Sequence, residues 1–341
     1  MEKEVTIYDI ARIMSLSAAT VSRALNNHPA INIKTRNAVT AKANELGYRS
    51  NTFASSLRRK STKALGVIVP RLNSHFMSSV LAGMETVANK AGYNLLISQS
   101  LESVHHEKGN TRAMYNSRVD GLMVSVAYDT ETFEHFDNFL KKGVPVLFFD
   151  RTIEVPGFPG IVIDNEKGGY DATMHLISQG CRKIMHVAGN LARNVYRGRY
   201  DGYRKALAEK GLEFAESLLI INDLSPESGG AVADYIDKME NKPDGIFLAN
   251  DICAIGCMKA LKQKSFAIPG DIAIAGFNND PVSEVIEPNL TTINYPGRQM
   301  GEWAVSAMIS HLNGSKPFDA TQTMVLRSEL LIRDPSLRNQ I

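Results

Sequence analysis

The chain opens with apolar residues at helical spacing. Ile7, Ile10, Ala11 and Met14 fall on one face, so a helix is expected over 7–14. Met14-Ser15-Leu16 is a short break, and Ser17 stands where an N-cap is wanted. Its hydroxyl can accept from a free N–H of the next turn. A second helix is expected over 18–26, with Val21, Ala24 and Leu25 inward. A third, over 34–46, ends at Gly47, which readily takes the left-handed conformation that stops helices. Residues 49–60 are polar and basic and read as a linker.

From Ala64 the period changes. Short β-branched runs at 65–69, 95–98, 122–126, 146–149, 161–164, 184–188, 219–221, 246–249 and 272–275 are separated by other segments. Amphipathic stretches among these include 78–90, 167–179, 199–210 and 253–262. Continuous apolar strands separated by helices imply parallel sheets covered on both faces. Roughly ten strands exceed one comfortable sheet, so two doubly wound lobes are expected, with a cleft at the carboxyl ends of their strands. The fold class is therefore an all-α helix-turn-helix head followed by a two-lobed α/β domain of doubly wound parallel sheets.

Composition sharpens this division. A length of 341 residues suits two or three domains, and 44% apolar residues can fill real cores. The net charge of +2 conceals an asymmetry. Residues 1–60 carry ten Lys/Arg against four Asp/Glu, or +6, which leaves −4 for the remainder. A basic head on a mildly acidic body fits a polyanion-binding module joined to something else, although a solvated basic terminus would look the same. Cys181, Cys253 and Cys257 do not form a disulfide framework and read as buried, reduced small hydrophobes. The opening Met-Glu-Lys-Glu-Val is no signal segment, and no apolar run reaches the about 18 residues of a membrane span. A soluble, cytoplasmic protein without cofactor or metal is expected.

The helix pair in the head has the proportions of a helix-turn-helix. Its second helix would lie in the major groove. Ala18, Ala19 and Arg23 would then reach base edges, the guanidinium pairing with guanine and the methyls meeting thymine methyl groups. Ser17, Thr20, Ser22 and Asn26 suit phosphate oxygens, which fix register rather than sequence. The plain alternative is a three-helix subdomain with a surface arginine.

The body has no G-x-G-x-x-G after its first strand, no Walker loop, no G-x-S-x-G and no H-E-x-x-H. His105 and His106 are adjacent and expected to be solvated. What stands out is polar residues just after strands: Asn73 to Phe76, Asp150, Asn250-Asp251 and Asn278-Asn279-Asp280. Such carbonyl, amide and carboxylate groups suit a polyhydroxylated ligand, whose hydroxyls both donate and accept. Each could instead be a helix cap or turn residue, an alternative strongest for Asp251 and Asp280.

Thr6-Ile-Tyr-Asp-Ile-Ala11 and Ser17-Ala-Ala-Thr-Val-Ser-Arg-Ala-Leu-Asn26 resemble the opening signature of the lactose/galactose repressor (LacI/GalR) family. The likeness continues through Thr35-Arg36, Leu46-Gly47-Tyr48, Asn51, Ala54 and Leu57, and extends over nearly the whole chain. The resemblance implies a homodimer whose heads read a roughly palindromic double-stranded operator, with Thr6 and Tyr8 also at the DNA. It implies a hinge helix near 51–59 that inserts Leu57 into the minor groove, where an apolar wedge unstacks a base step. Asn51 and Ala54 would contact DNA from the same hinge.

The resemblance also implies a body similar to periplasmic sugar-binding proteins. His75, Phe76, Asp150, Arg199, Asn250 and Asn278 fall on effector-contacting positions, with Phe76 available to stack on a sugar face and Arg199 gripping the effector. Residues 289–293 resemble the crossover back to the first lobe, and 329–333 the closing strand. The implied domains are a head at 1–48, a hinge at 49–61, a first lobe of 62–162 with 292–322, and a second lobe of 163–291 with 323–335.

Three departures from the family pattern matter. Ser15 replaces a turn glycine, and Ser50 replaces a proline that would fix φ at the hinge entry. Asn278 replaces an aspartate, which exchanges a charged acceptor for an uncharged group that also donates. The function implied is a repressor of carbohydrate-metabolism genes, allosterically controlled by a sugar-like effector. The alternatives are control by a protein partner, control by a purine-type corepressor, or an enzyme with an accessory DNA-binding head.

Overall fold

The computed structural model describes residues 5–48, 61–152, 158–315 and 323–338. The chain divides into two compact units, Met1–Thr62 and Lys63–Ile341.

The head is built from α1 (Ile7–Ile13), α2 (Ala18–Leu25) and α3 (Ile33–Glu45). Each start is capped by the residue chemistry that helix starts require. Thr6 and Asp9 form a reciprocal capping box on α1, Ser17 accepts from Thr20 N–H at 3.0 Å on α2, and Asn32 accepts from Thr35 N–H at 2.8 Å on α3. Ile10, Ala11, Val21, Ala24, Val39 and Ala43 fill the core between them. Fully burying Ile10, Val21 or Val39 contributes roughly 1.5–3 kcal/mol each. Ser15 has φ +54° in the turn between α1 and α2, so this serine bears the left-handed strain that a glycine would avoid.

The body begins with β1 (Ala64–Val69), α4 (His75–Lys90), β2 (Asn94–Gln99), α5 (Val104–Asn116) and β3 (Gly121–Val124). It continues through α6 (Asp137–Lys141), β4 (Val146–Phe149), β5 (Gly160–Ile163), α7 (Asn165–Ser178), β6 (Ile184–Ala188), α8 (Asn194–Glu209) and β7 (Leu219–Ile221). Then follow α9 (Pro226–Lys238), β8 (Gly245–Leu248), α10 (Asp251–Gln263) and β9 (Ala273–Ala275). The last elements are β10 (Thr292–Asn294), α11 (Gly297–Leu312), β11 (Thr323–Leu326) and β12 (Glu329–Leu331). One sheet runs β11-β5-β4-β3-β1-β2 and the other β7-β6-β8-β9, with every pairing parallel.

The chain passes between lobes three times, and the last two crossings differ from the sequence expectation. β10, expected to open the return to the first lobe, pairs antiparallel with β12 and is bridged to the second lobe through Ala275–Thr291 and Asn278–Asn294. β11, expected in the second lobe, pairs with β5 at the edge of the first sheet. The crossings therefore follow β5, β10 and β11. Edge strands as short as these take their sheet from a distant partner, and their local pattern carries no mark of it.

Close helix packing sets the base of the second lobe. A Cβ on Gly169 of α7 would run into the carbonyl of Arg199 on α8, and one on Gly202 of α8 would run into the carbonyl of Glu166. Glycine at both positions lets the two backbones touch and fixes the height at which Arg199 leaves its helix. No helix among the described residues is long and apolar enough to cross a membrane.

Candidate DNA surface and ligand cleft

On the head, Ala19, Arg23, Asn26 and Ser17 are exposed, while Ala18, Thr20 and Ser22 are half-buried. Of the residues expected at base edges, Ala19 and Arg23 are open to solvent, while Ala18 packs in part against the core of the head. Ser17 and Thr20 share a hydroxyl hydrogen bond at 2.8 Å, and the Asn26 side-chain amide donates to the Ser22 carbonyl at 2.7 Å. Thr6 is exposed but engaged in its capping box, and Tyr8 is 71% exposed. The basic residues of the head divide by what holds them. Arg12 pairs with Asp9, Lys42 pairs with Glu45, and Arg36 donates to the carbonyls of His28 and Ile31. Among the described residues, Arg23 has no such bond, so its guanidinium is available to a partner outside the chain. Asn51, Ala54 and Leu57 lie outside the described residues.

In the body, a cavity of 690 Å³ opens between the lobes at the carboxyl ends of the strands, and His75, Phe76, Asp150, Arg199, Asn250 and Asn278 all line it. They come from five separate places in the chain. Asp150 ends β4 with φ +58° and is 5% exposed. Its carboxylate accepts from the Ser125 hydroxyl at 3.2 Å and from the phenol of Tyr295. Burial raises its pKa, while Arg151, Tyr295 and Arg199 pull it down.

Arg199 faces it from α8, only 3% exposed. Its Nε donates to Asn165 Oδ1 at 2.9 Å, one terminal nitrogen donates to the Ala249 carbonyl at 2.6 Å, and its plane lies 3.6 Å from the Phe277 ring centroid. Burial lowers its pKa, opposed by Tyr295, Tyr196 and Asp150. These contacts leave donor capacity on the guanidinium beside a buried carboxylate, an arrangement that can take a hydroxyl pair.

The remaining residues differ in detail from expectation. Phe76 is 7% exposed and stacks on Tyr295 at 4.1 Å between centroids, so its face is already covered and it backs Tyr295 instead of offering a platform. The capping role expected of Asp251 belongs to Asn250, whose Oδ1 accepts from Cys253 N–H at 2.7 Å and whose amide donates to the Leu224 carbonyl at 3.1 Å. Asp251 is fully buried and ties strands together, accepting from the Thr292 hydroxyl at 2.6 Å and from Asp280 N–H at 2.8 Å. Asp280 precedes a 3-10 turn without capping it through its side chain. Asn278 is half-buried with φ +120°, and His75 is exposed at the first position of α4.

Sequence reasoning missed a second group on the same wall. Arg151 donates to Glu102 through both terminal guanidinium nitrogens, at 2.5 and 3.2 Å, and reaches Tyr196 Oη at 3.2 Å. Tyr128, Tyr196 and Tyr295 line the cleft with it. Arg151 directly follows Asp150 at a strand end, a signal that could have drawn attention. Nothing local marks the tyrosines.

Residues 6–51 match the family of bacterial regulatory proteins of the lacI type, and residues 173–334 match a periplasmic binding protein-like domain. The chain is 32% identical over 310 residues to catabolite control protein A of Priestia megaterium, covering 91% of this chain and 93% of that protein. It is 30% identical to the HTH-type transcriptional repressor PurR of Vibrio atlanticus, covering 90% and 92%. Among solved structures, the lac repressor dimer bound to operator and the anti-inducer ONPF superimposes with TM-score 0.87 at 26% identity, covering 98% of this chain and all of that one. The regulator CelR in complex with cellobiose gives 0.73 at 25% identity, covering 97% and 100%. From the helix-turn-helix to the two-lobed body, the chain belongs to the LacI family and is a DNA-binding transcriptional regulator rather than an enzyme.

Proposed function

We propose that this regulator binds operator DNA as a homodimer through α2 and represses genes of carbohydrate metabolism under the control of a small polyhydroxylated molecule held in the cleft. The observation that carries the ligand class is the pairing of a buried acceptor, Asp150, with a buried donor, Arg199, on the wall of a 690 Å³ cavity. A sugar hydroxyl both donates and accepts, so it can bridge such a pair. The solved relatives support operator binding as a dimer and a sugar ligand, since one is a dimer bound to operator and another is a complex with cellobiose. The charge around the cleft is mixed: Arg71, Arg151 and Arg199 stand near Glu102, Asp150, Asp223 and Asp280, which favours a neutral molecule over a strong anion or cation. The small and exposed residues of α2, with the uncommitted Arg23, support base readout.

A purine is the second reading, favoured by Asn278, whose side-chain amide can pair with both a donor and an acceptor on a heterocycle edge. Thermal shift across sugars, sugar acids and purine bases separates the two, because a molecule that binds only the native state raises the melting temperature. Stabilisation by neutral sugars alone supports the first reading. Stabilisation by purines alone replaces it with the second.

A further inference from the structure

The loop after β3 is held from behind by a carboxylate outside the cleft. Glu107 of α5 is fully buried. One of its oxygens accepts from the Ala127 backbone N–H at 2.6 Å. The other meets the Thr130 hydroxyl at 3.0 Å and His135 Nε2 at 2.9 Å. An ionised carboxylate only accepts, so the imidazole nitrogen donates. From the other end of the same loop, Asp129 accepts from Val104 N–H at 2.6 Å and caps α5.

Between these anchors lies Tyr128, whose side chain lines the cleft and whose carbonyl accepts from Asn190 of the second lobe at 3.0 Å. Tyr196, carried by α8 of the second lobe, lines the same cleft and acts electrostatically on Tyr128. Burying an ionised carboxylate is costly unless hydrogen bonds compensate for the lost water. Two of the three bonds that compensate Glu107 go to residues 127 and 130, which bracket Tyr128. A group that served only the packing of α5 would have no reason to concentrate its bonds there.

We infer that Glu107 is a positioning residue of the ligand cleft, fixing the 127–130 loop so that Tyr128 presents its ring on the cleft wall. The inference rests on the reading of the cleft as the effector site and assigns it the platform that Phe76 cannot supply. Aromatic faces suit the C–H face of a sugar ring.

The test uses the full chain labelled with ζ-¹³C tyrosine, the Tyr128 resonance being assigned through Tyr128→Phe. Burial first, and then Tyr196, raises the Tyr128 phenol above its ordinary value. In Glu107→Gln, and in the milder Thr130→Val, the phenol is expected to return toward that value. The amides of 126–130 should exchange roughly tenfold faster while those of β1 do not change. Folded variants with wild-type titration and exchange overturn the inference.

A binding arm uses cellobiose. The wild-type melting shift with cellobiose should be reduced in Glu107→Gln and in Tyr128→Ala, and the double variant should fall no lower than Tyr128→Ala alone, since a residue acting through another is not additive with it. Full additivity counts against action through Tyr128. A wild-type protein indifferent to cellobiose counts against the sugar reading, while the phenol and exchange results still decide the role of Glu107.

Discussion

Arg199 lies among Phe277, Tyr295 and Tyr196, and acceptors and ring faces offset part of the cost of burying its charge. That setting fits a ligand-gripping role better than a stabilising one, since part of its donor capacity points at an open cavity. Arg199→Met should therefore abolish the effector response in an operator-binding assay while leaving effector-free operator affinity within about threefold. On the head, Arg23→Ala should cost about 1–3 kcal/mol at one operator position, read from binding to a set of single-base variants. Equal weakening at every sequence would show a phosphate contact instead.

A third residue gives a pH signature. His186 is fully buried against Tyr203 and Phe247, with Nδ1 at 2.9 Å from the Phe247 carbonyl, and burial pushes its pKa down to about 4. Below the unfolded value near 6.5 the unfolded chain takes up a proton that the native state refuses. Stability from this group is thus complete above about 6.5 and is lost as pH falls toward about 4, a total of roughly 3 kcal/mol. Asp251, raised by burial to about 7, works in the opposite direction over the same range. Comparing denaturant midpoints of wild type and His186→Gln from pH 7 to 4 isolates the histidine: the variant should lose less stability on acidification. Parallel curves would show that His186 does not control that slope.

Among the elements, α7 and α8 depend on Gly169 and Gly202 for their contact. Gly202→Val should destabilise the body by about 1–3 kcal/mol in urea denaturation and weaken effector binding, because moving α8 also moves Arg199. At this scale much of the structure was legible. Runs such as 65–69 and 184–188 are buried along their whole length and largely apolar because both faces of their sheets are covered, and Ser17 announced α2 by its chemistry. The sheet membership of β10 and β11 was not legible, because it depends on partners far away in the chain. The cleft residues at strand ends could be found from position alone. Tyr128 could not, because its place depends on the hydrogen bond that its neighbour Ala127 donates to Glu107, and three-dimensional placement alone supplies that bond. Phe76 was misread for the same reason, since its partner Tyr295 arrives from the other end of the body.

At the scale of the molecule, the charge asymmetry acquires a finer meaning. Several head cations hold the head itself together through Asp9, Glu45 and main-chain carbonyls, which leaves Arg23 and its exposed neighbours for an outside partner. In the body, lobes joined by three crossings and bonded across the cleft by Asn190 and Asn194 can respond to what fills the space between them. For a cleft molecule to control DNA binding it must favour one arrangement of the lobes, and a preference of about 1–3 kcal/mol corresponds to a roughly 5–150-fold change in operator affinity. The most direct measurement is selection of duplexes from a random pool by the full chain, followed by titration of the selected duplex with and without each molecule that raises the melting temperature. The expected result is a selected sequence of two-fold symmetry whose affinity shifts at least about fivefold with one such molecule, and no shift in Arg199→Met. A pool that yields no preferred sequence, or an affinity indifferent to a molecule that demonstrably occupies the cleft, would contradict it.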